Sequence, residues 1–355
     1  MDFGIFNLVN HRDVHHPIPV FLNEIAQQCE AAEHAGFGTA WFTEHHFSNY
    51  ALIPSPLMMI AHVAARTKRI RLGSAVVLAC LYQPARLLGE IGFADSLSNG
   101  RLILGVGSGY QAHELARFGV SLEQSRQMTE EMLDILEMAF AKGAVEYQGK
   151  HFKLPLTYVS VPPVQKGGVP IWLAGNTPPS IALAAHRGYP LFASGFGRDV
   201  ASLIEVRQGA EAVWREEGKS LDTLRFATLR YCFVTDDKAE ALRFAENARN
   251  QVRASRYLRR GQMSLPGAVL PEEPFADEMS PEQLLVWNPI GDPETVAEKL
   301  AREISAVKPA HMGLYMTIGA MPHAAAMRSI ERFGREVMPR LEKALGPLAR
   351  IGMAA

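Results

Sequence analysis

The sequence predicts an α/β fold, a single (β/α)8 TIM barrel with insertions. Short apolar runs alternate with helical patterns from one end of the chain to the other, which is typical of parallel strand–helix units. Eight such runs occur, and the run at 70–78 is almost unbroken, as expected for a strand buried on both faces. A length of 355 residues is normal for one such barrel. We therefore expect one domain over residues 1–355, with irregular insertions at about 143–168 and 261–290.

The predicted strands follow one another in chain order. They cover 3–8, 39–43, 70–78, 101–106, 170–174, 190–194, 224–234 and 312–318. Helical patterns separate them, the first at about 20–34. The third helix begins at Pro84 and ends at Asn99-Gly100, which are favourable residues for a helix start and stop. A later helix begins after Asp292, an N-cap residue, with Pro293 in its first turn.

Two stretches near the seventh predicted strand stand out. The helix from Asp237 carries a run of arginines, which we interpret as a solvated or subunit-facing surface: Arg249, Arg253, Arg256, Arg259 and Arg260. Residues 261–289 contain five prolines and an acidic group around Glu272. A long stretch of this kind in a compact domain is usually a lid or a disordered loop.

Composition narrows the possible classes of function. A net charge of -1 gives no electrostatic case for nucleic acid or an anionic membrane. Cys29, Cys80 and Cys232 are isolated and lack the spacing of metal ligands, which suits a reducing compartment. The chain shows neither the pattern of a signal peptide nor an apolar run of membrane-spanning length. We expect a cytoplasmic protein.

The central stretch for function is Glu44-His45-His46, which directly follows the predicted strand 39–43. Side chains alternate faces along an extended chain, so the two imidazoles should point in opposite directions. One of them could then face a pocket while the other orients the loop. The alternative interpretation is that both are hydrogen-bonded structural histidines.

In a barrel of this class, catalytic groups come from the C-terminal ends of the strands and the loops that follow. This rule collects His11, 44–46, 74–76, 108–110 and 176–180. The glycines at 105–109 match a dinucleotide loop only loosely, and we expect them to let a flat or phosphorylated ligand approach the backbone. The turn at 176–180 is either an anion site at a helix N-terminus or a plain N-cap by Thr177. Pro178 and Pro179 lack amide donors, so in an anion site the hydroxyls of Thr177 and Ser180 would have to contribute more.

Several motifs, in order and over nearly the whole chain, resemble those of the bacterial luciferase-like flavin-dependent monooxygenases. They are GFGTAWFTEHHF (36–47), AARTKRIRLGSAVVL (64–78), ADSLSNGRLILGVGSGY (94–110), SRQMTEEMLDIL (125–136), VPPVQKGGVPIWLAG (161–175) and GREVMPRL (334–341). The resemblance implies a barrel that binds reduced FMN supplied by a separate NAD(P)H:flavin reductase. It also implies that the flavin captures O2 as a C4a-hydroperoxide, which oxygenates a small organic substrate. A homodimer is the expected assembly.

The resemblance also assigns roles to individual residues. His45 matches the histidine that supports the oxygen chemistry, and Ala75-Val76 matches a non-prolyl cis peptide under the isoalloxazine ring. The remaining expected cofactor-binding residues are Ser108, Tyr110, Arg126, Ala174, Gly175, Asn176, Thr177 and Ser180. Of these, Arg126, the segment from Ala174 to Thr177, and Ser180 match the phosphate side. Ser108 stands where the luciferases have a phosphate-contacting arginine, and Gly107 where they have a reactive cysteine.

Three alternatives remain at this point. A relative could use the deazaflavin F420 as a hydride carrier, because the same barrel supports that chemistry. A non-catalytic flavin-binding protein is also possible. A barrel metallohydrolase would have to use His11, Glu44, His45 and His46, but adjacent histidines on alternating faces make poor joint ligands. We expect no metal site.

Overall fold

The computed structural model describes residues 1–260 and 264–352, and its centre is a closed barrel of eight parallel strands. They are β1 (Asp2–Asn7), β2 (Thr39–Phe42), β3 (Arg71–Ser74), β4 (Leu102–Gly107), β5 (Ile171–Ala174), β6 (Leu191–Ser194), β7 (Phe226–Tyr231) and β8 (His311–Tyr315). Each strand pairs with its sequence neighbours, and β1 closes the barrel against β8, with Asp2 opposite His311. The predicted barrel is confirmed.

Helices surround the barrel between the strands. Their bounds are Ile18–Ala35, Pro56–Ala64, Pro84–Leu97, Ala112–Arg117, Leu122–Lys142, Pro178–Arg187, Val200–Glu216, Lys238–Arg259, Pro281–Trp287, Pro293–Val307, His323–Arg332, Phe333–Val337 (a π-helix) and Met338–Leu345. The predicted cap is present, since the Asp292 carboxylate accepts a hydrogen bond from the Thr295 amide at 2.9 Å. Within the described ranges, no helix has both the length and the apolar character needed to cross a membrane.

Four predicted segments differ in detail. Strand 70–78 is interrupted after Ser74 and resumes as Val77–Leu78, and strand 224–234 is interrupted at Cys232. The insertion at 143–168 is not irregular, because Ala144–Gln148 and Lys153–Tyr158 form an antiparallel pair. The second insertion contains the helix Pro281–Trp287 and the short strand Ile290–Gly291. Residues 261–263, which belong to the same prediction, lie outside the described residues.

Large aromatic side chains fill the interior of the barrel. The Trp41 indole lies 5.2 Å from the Trp172 ring and 5.0 Å from the Phe192 ring, centroid to centroid. Trp41 Nε1 donates to His311 Nε2 at 2.8 Å, so His311 carries its proton on Nδ1, 2.7 Å from the Asp2 carboxylate. A Cβ at Gly73 would lie 2.3 Å from the Trp41 ring, so this neighbour must be glycine. Because this layer is packed, a ligand site has to lie at the C-terminal end of the strands.

Close approach of β3 to β4 explains two of the glycines in the 105–109 motif. A Cβ at Gly105 would lie 2.1 Å from the Ser74 carbonyl oxygen, and one at Gly107 would lie 2.8 Å from the Val76 side chain. The Ser74 hydroxyl also donates to the Gly105 carbonyl at 2.9 Å. Gly105 and Gly107 are therefore needed for strand packing, which is a different reason from the ligand approach that the sequence suggested.

All three cysteines are buried and unpaired. Burial raises the pKa of the Cys29 and Cys80 thiols to about 12, and that of Cys232 in the same direction. The Cys80 thiol donates to the Ser108 carbonyl at 3.5 Å. These thiols behave as small core residues.

The acidic segment 272–278 is attached to the rest of the chain by ion pairs. Arg12 pairs with Glu272 at 2.7 Å, and Arg256 pairs with Asp277 at 2.8 Å. Arg253 forms a bidentate ion pair with Glu278. The expectation that the arginine run is a solvated or subunit-facing surface is therefore wrong for Arg253, whose side chain is largely buried in its ion pair, whereas Arg256 keeps an exposed side chain.

The first prediction concerns strand packing. Gly105→Ala should destabilise the protein by about 1–3 kcal/mol, because the added methyl group would overlap the Ser74 carbonyl. Gly89→Ala is the matched control, since its Cβ meets nothing within 4 Å and the residue lies in the helix Pro84–Leu97. The control should be stabilising by about 0.5–1 kcal/mol. Urea unfolding measures both, and equal stability of the two variants would contradict the packing argument.

The second prediction concerns acid. Hydrogen bonds from their arginine partners hold the pKa of Glu272, Asp277 and Glu278 below the usual carboxyl range. A depressed folded-state pKa gives stability that is present above the unfolded pKa and is lost as the pH falls through the folded-state value. Amide protection of 272–280, measured by hydrogen exchange with correction for intrinsic rates, should therefore decrease as the pH falls below 4.5, the ordinary glutamate pKa.

Two variants test that attachment at neutral pH. Glu278→Gln should already lose protection in the segment, whereas Glu273→Gln, which removes an exposed carboxylate outside these ion pairs, should not. Protection that is the same at pH 4 and pH 7 would show that packing, and not the ion pairs, holds the segment.

Candidate active site

His45 lies just beyond β2 and is oriented by a buried carboxylate. Its Nδ1 is 3.1 Å from Oε1 of Glu114, a residue of the short helix Ala112–Arg117. The same oxygen accepts a hydrogen bond from the His46 amide at 2.6 Å. Because a carboxylate accepts hydrogen bonds, Nδ1 carries the proton of the neutral imidazole. Nε2, on the half-buried side chain, is left for contact with a ligand.

His46 has a different partner. Its Nε2 is 3.1 Å from Glu44 Oε1, and the other Glu44 oxygen accepts from the Leu78 amide at 2.9 Å and the Tyr82 hydroxyl at 3.1 Å. Burial raises the pKa of Glu44. This set of bonds joins the end of β2 to the chain that follows β3. The two adjacent histidines thus have separate carboxylates, as expected for side chains on alternating faces.

The peptide bond between Ala75 and Val76 is cis, which confirms the geometry expected from the resemblance. The Ala75 amide donates to the Phe42 carbonyl at 2.7 Å, so this peptide lies beside the chain that leads to His45. Ala75 and Val76 are half-buried although β3 before them is buried.

Other half-buried residues at the C-terminal strand ends outline the rest of the site. Those singled out from the sequence are Ser108, Tyr110, Ala174 and Gly175, and Ser194, Phe196 and Leu229 join them. The Tyr110 ring lies edge-on to the His45 ring, with the centroids 5.7 Å apart. Burial raises the pKa of Tyr110 well above its usual value, so its hydroxyl stays protonated at neutral pH. The residues that keep some exposed surface at this end of the barrel therefore include several of the predicted flavin-binding residues.

Arg126 and the turn at 176–180, which follows β5, form one corner at the C-terminal end of the barrel. Arg126 Nη2 lies 3.4 Å from the Pro179 carbonyl, while Arg126 Nε donates to Glu130 at 2.9 Å. The Ser180 hydroxyl donates to the Thr177 carbonyl at 2.8 Å, directly at the start of the helix Pro178–Arg187. The guanidinium, two hydroxyls and a helix N-terminus are thereby gathered in one place, which is a suitable environment for a phosphate.

Gly175 and Asn176, in and next to this turn, also support the local structure. A Cβ at Gly175 would lie 2.2 Å from the Ser180 hydroxyl, so the position requires glycine. The Asn176 side chain joins β5 to β6, because its Oδ1 accepts from the Ser194 amide at 3.3 Å. Ser108, in contrast, lies on the β4 side, next to Cys80.

The residues of the metallohydrolase alternative do not converge. His11 Nε2 is 2.8 Å from the His16 carbonyl, and the His11 ring stacks on Phe21. Among residues 1–260 and 264–352, no three His, Cys, Asp or Glu side chains lie close enough together to hold a metal ion.

Sequence reasoning missed four residues that contact this site. Glu114 orients His45, Gln111 lies next to the imidazole, and Tyr50 packs on it and is hydrogen-bonded to Gln251. Each is separated from its partner by tens to hundreds of residues or lies in a loop without periodicity. The one available signal was chemical, since an imidazole next to a strand end usually needs a carboxylate to fix its tautomer.

Comparisons with known proteins identify the family of this chain. Residues 1–307 match the model of the luciferase-like monooxygenase family. An uncharacterized protein of Sinorhizobium fredii is 38% identical over 98% of this chain and 99% of its own length. The oxygenase component of a flavin-dependent trigonelline monooxygenase from Acinetobacter baylyi is 26% identical over 89% of each chain.

Solved structures give the fold. The FMN complex of the oxygenating constituent of 3,6-diketocamphane monooxygenase from Pseudomonas putida superposes with a TM-score of 0.76, at 21% identity over 96% of this chain and 98% of that chain. An F420-dependent secondary alcohol dehydrogenase superposes with a TM-score of 0.74, at 20% identity over 96% and 98%. From the family match over most of its length, the chain belongs to the luciferase-like monooxygenases.

Proposed function

We propose that this monooxygenase is the oxygenase component of a two-component, FMN-dependent system. It would take reduced FMN from a separate NAD(P)H:flavin reductase and use O2 to oxygenate a small organic molecule. The observation that carries the proposal is that the Glu114-oriented His45 follows β2, while the Ala75–Val76 peptide follows β3 and is bonded to the Phe42 carbonyl of β2, at the same barrel end as the corner that holds Arg126. The relative from Acinetobacter baylyi, named as an oxygenase component, supports the division into two components.

The residues present fit FMN. Arg126, Thr177 and Ser180 would hold the phosphate, with Asn176 bracing the turn and Ser108 adding a hydroxyl from the β4 side. Ala174 and Gly175 would lie along the ribityl chain, and the Ala75–Val76 backbone would support the isoalloxazine ring, with Tyr110 at its edge. When bound, reduced FMN supplies the two electrons that activate O2.

The task of His45 follows from its tautomer. Glu114 holds the proton at Nδ1, so Nε2 can accept a proton or, once protonated, donate one at a fixed position. Two half-buried apolar side chains of the site, Phe196 and Leu229, reduce the water available there. The lid role expected for residues 261–289 remains a prediction, and a homodimer is the expected assembly.

The third prediction tests the cofactor. Anaerobic titration should give micromolar binding of reduced FMN and weaker binding of reduced F420. Arg126→Gln should weaken FMN binding by about 1.5–3 kcal/mol but leave riboflavin, which has no phosphate, unchanged. Arg86→Gln is the matched control, because Arg86 also makes an i,i+4 ion pair on a helix surface, with Glu90. Tighter binding of F420, or an equal effect of Arg126→Gln on riboflavin, would overturn the assignment.

The fourth prediction concerns His45 and Glu114. In a screen of organic substrates with FMN, NADH and an added reductase, products are read by mass spectrometry. His45→Ala should lower product formation about 10²–10⁴-fold, as is usual for an acid–base group. Glu114→Gln should lower it less and leave reduced FMN bound, because the imidazole remains but its tautomer is no longer fixed. His46→Ala tests whether the catalytic role belongs to His45 and not to His46. An equal loss of product formation in His46→Ala would contradict that assignment.

A further inference from the structure

A chain of buried, uncharged side chains leads away from His45. Gln111 Nε2 donates to the Tyr110 hydroxyl at 3.2 Å. It also lies 3.0 Å from His45 Nδ1, which cannot accept a hydrogen bond from it while it carries the proton. The Tyr110 hydroxyl is 3.4 Å from the Tyr50 hydroxyl, and the Tyr50 ring lies edge-on to the imidazole at 5.0 Å between centroids. Tyr50 thus touches His45 through its ring, and its hydroxyl contacts Tyr110, whose ring also lies edge-on to the imidazole.

The far end of this chain is Gln251. Its Nε2 donates to the Tyr50 hydroxyl at 3.0 Å, and its Oε1 accepts from the Tyr231 hydroxyl in a short hydrogen bond. Gln251 is 3% exposed and Tyr231 is fully buried. Polar groups in such an environment are costly to leave unpaired, so these bonds hold the two rings in place.

Gln251 also lies on a helix that has a second task. The helix Lys238–Arg259 carries Arg253 and Arg256, which bind the acidic segment 272–278. One rigid element therefore contacts both the segment outside the barrel and the side chains that surround His45.

We infer that Gln251 is a positioning residue for His45, acting by holding Tyr50 against the imidazole and against Tyr110. The inference rests on the proposed function, since His45 must have a task for its position to matter. Gln251 transfers no proton. It fixes the ring that packs on the imidazole, and it links that ring to the helix that binds the acidic segment.

The test uses the pH profile of the reoxidation of bound reduced FMN by O2, followed by stopped flow without organic substrate. The titratable groups around the imidazole are Glu114, His113, Tyr110 and Tyr50. None of them is removed by Gln251→Leu. A purely structural defect would lower the amount of folded protein without moving the midpoint of this profile.

The fifth prediction is that Gln251→Leu shifts that midpoint by about 1 pH unit, because the imidazole loses its fixed surroundings. Tyr50→Phe, which keeps the ring and removes only the hydroxyl, should shift it in the same direction. The double variant should shift it no further than the larger single effect, since both changes break one chain. Affinity for reduced FMN should stay within about twofold in all three.

Tyr315→Phe is the matched control. Tyr315 is also fully buried near Tyr231, but its hydroxyl has no side-chain hydrogen-bond partner among the described residues, so its loss should not move the midpoint. Tyr50→Phe keeps the test valid if Gln251→Leu folds poorly. Unchanged midpoints in Gln251→Leu and Tyr50→Phe, with a changed profile in His45→Asn, would overturn the inference alone. An unchanged profile in His45→Asn would overturn the proposed function and the inference together.

Discussion

The candidate site depends on two buried carboxylates, Glu44 and Glu114, that hold the two histidines following β2. Glu44 and Glu114 are each almost inaccessible, and each accepts hydrogen bonds from an imidazole and from a backbone amide. An unpaired carboxylate in such surroundings would cost several kcal/mol, so the donors are fixed as firmly as the acceptors. The consequence is that neither histidine can turn without leaving a buried oxygen unsatisfied.

This constraint links the site to the packing of the barrel. Glu44 reaches the Leu78 amide, which follows the cis peptide, and that region is also where β3 presses on Gly105 and Gly107. A change in the strand contact would therefore displace the partners of the histidines as well as the strand itself. The Trp41 and His311 side chains, which are hydrogen-bonded to each other, fill the interior of the barrel.

Much of this arrangement could be predicted from local sequence, and the rest could not for a physical reason. The eight strands follow from periodicity, and the cis peptide from a motif whose residues are contiguous. The placement of Arg126 beside the 176–180 turn also came from motifs. Glu114 and Gln251 could not be found in this way, because a side chain that acts across 69 or 201 residues leaves no periodic trace. Gly105 was recognised as special, but whether a ligand or a strand fills the space beside it depends on tertiary packing.

The state of the cysteines has a practical consequence for labelling. With a thiol pKa of about 12 at Cys29 and Cys80, the reactive thiolate is only about 1 part in 10⁵ at neutral pH, and burial excludes bulky reagents as well. A cysteine introduced on the surface, for instance at the exposed Glu273, would therefore react with maleimide dyes far faster than the native thiols. Fluorescent probes could then be attached to the acidic segment and to a surface helix of the otherwise unaltered chain, and the distance between them followed in solution.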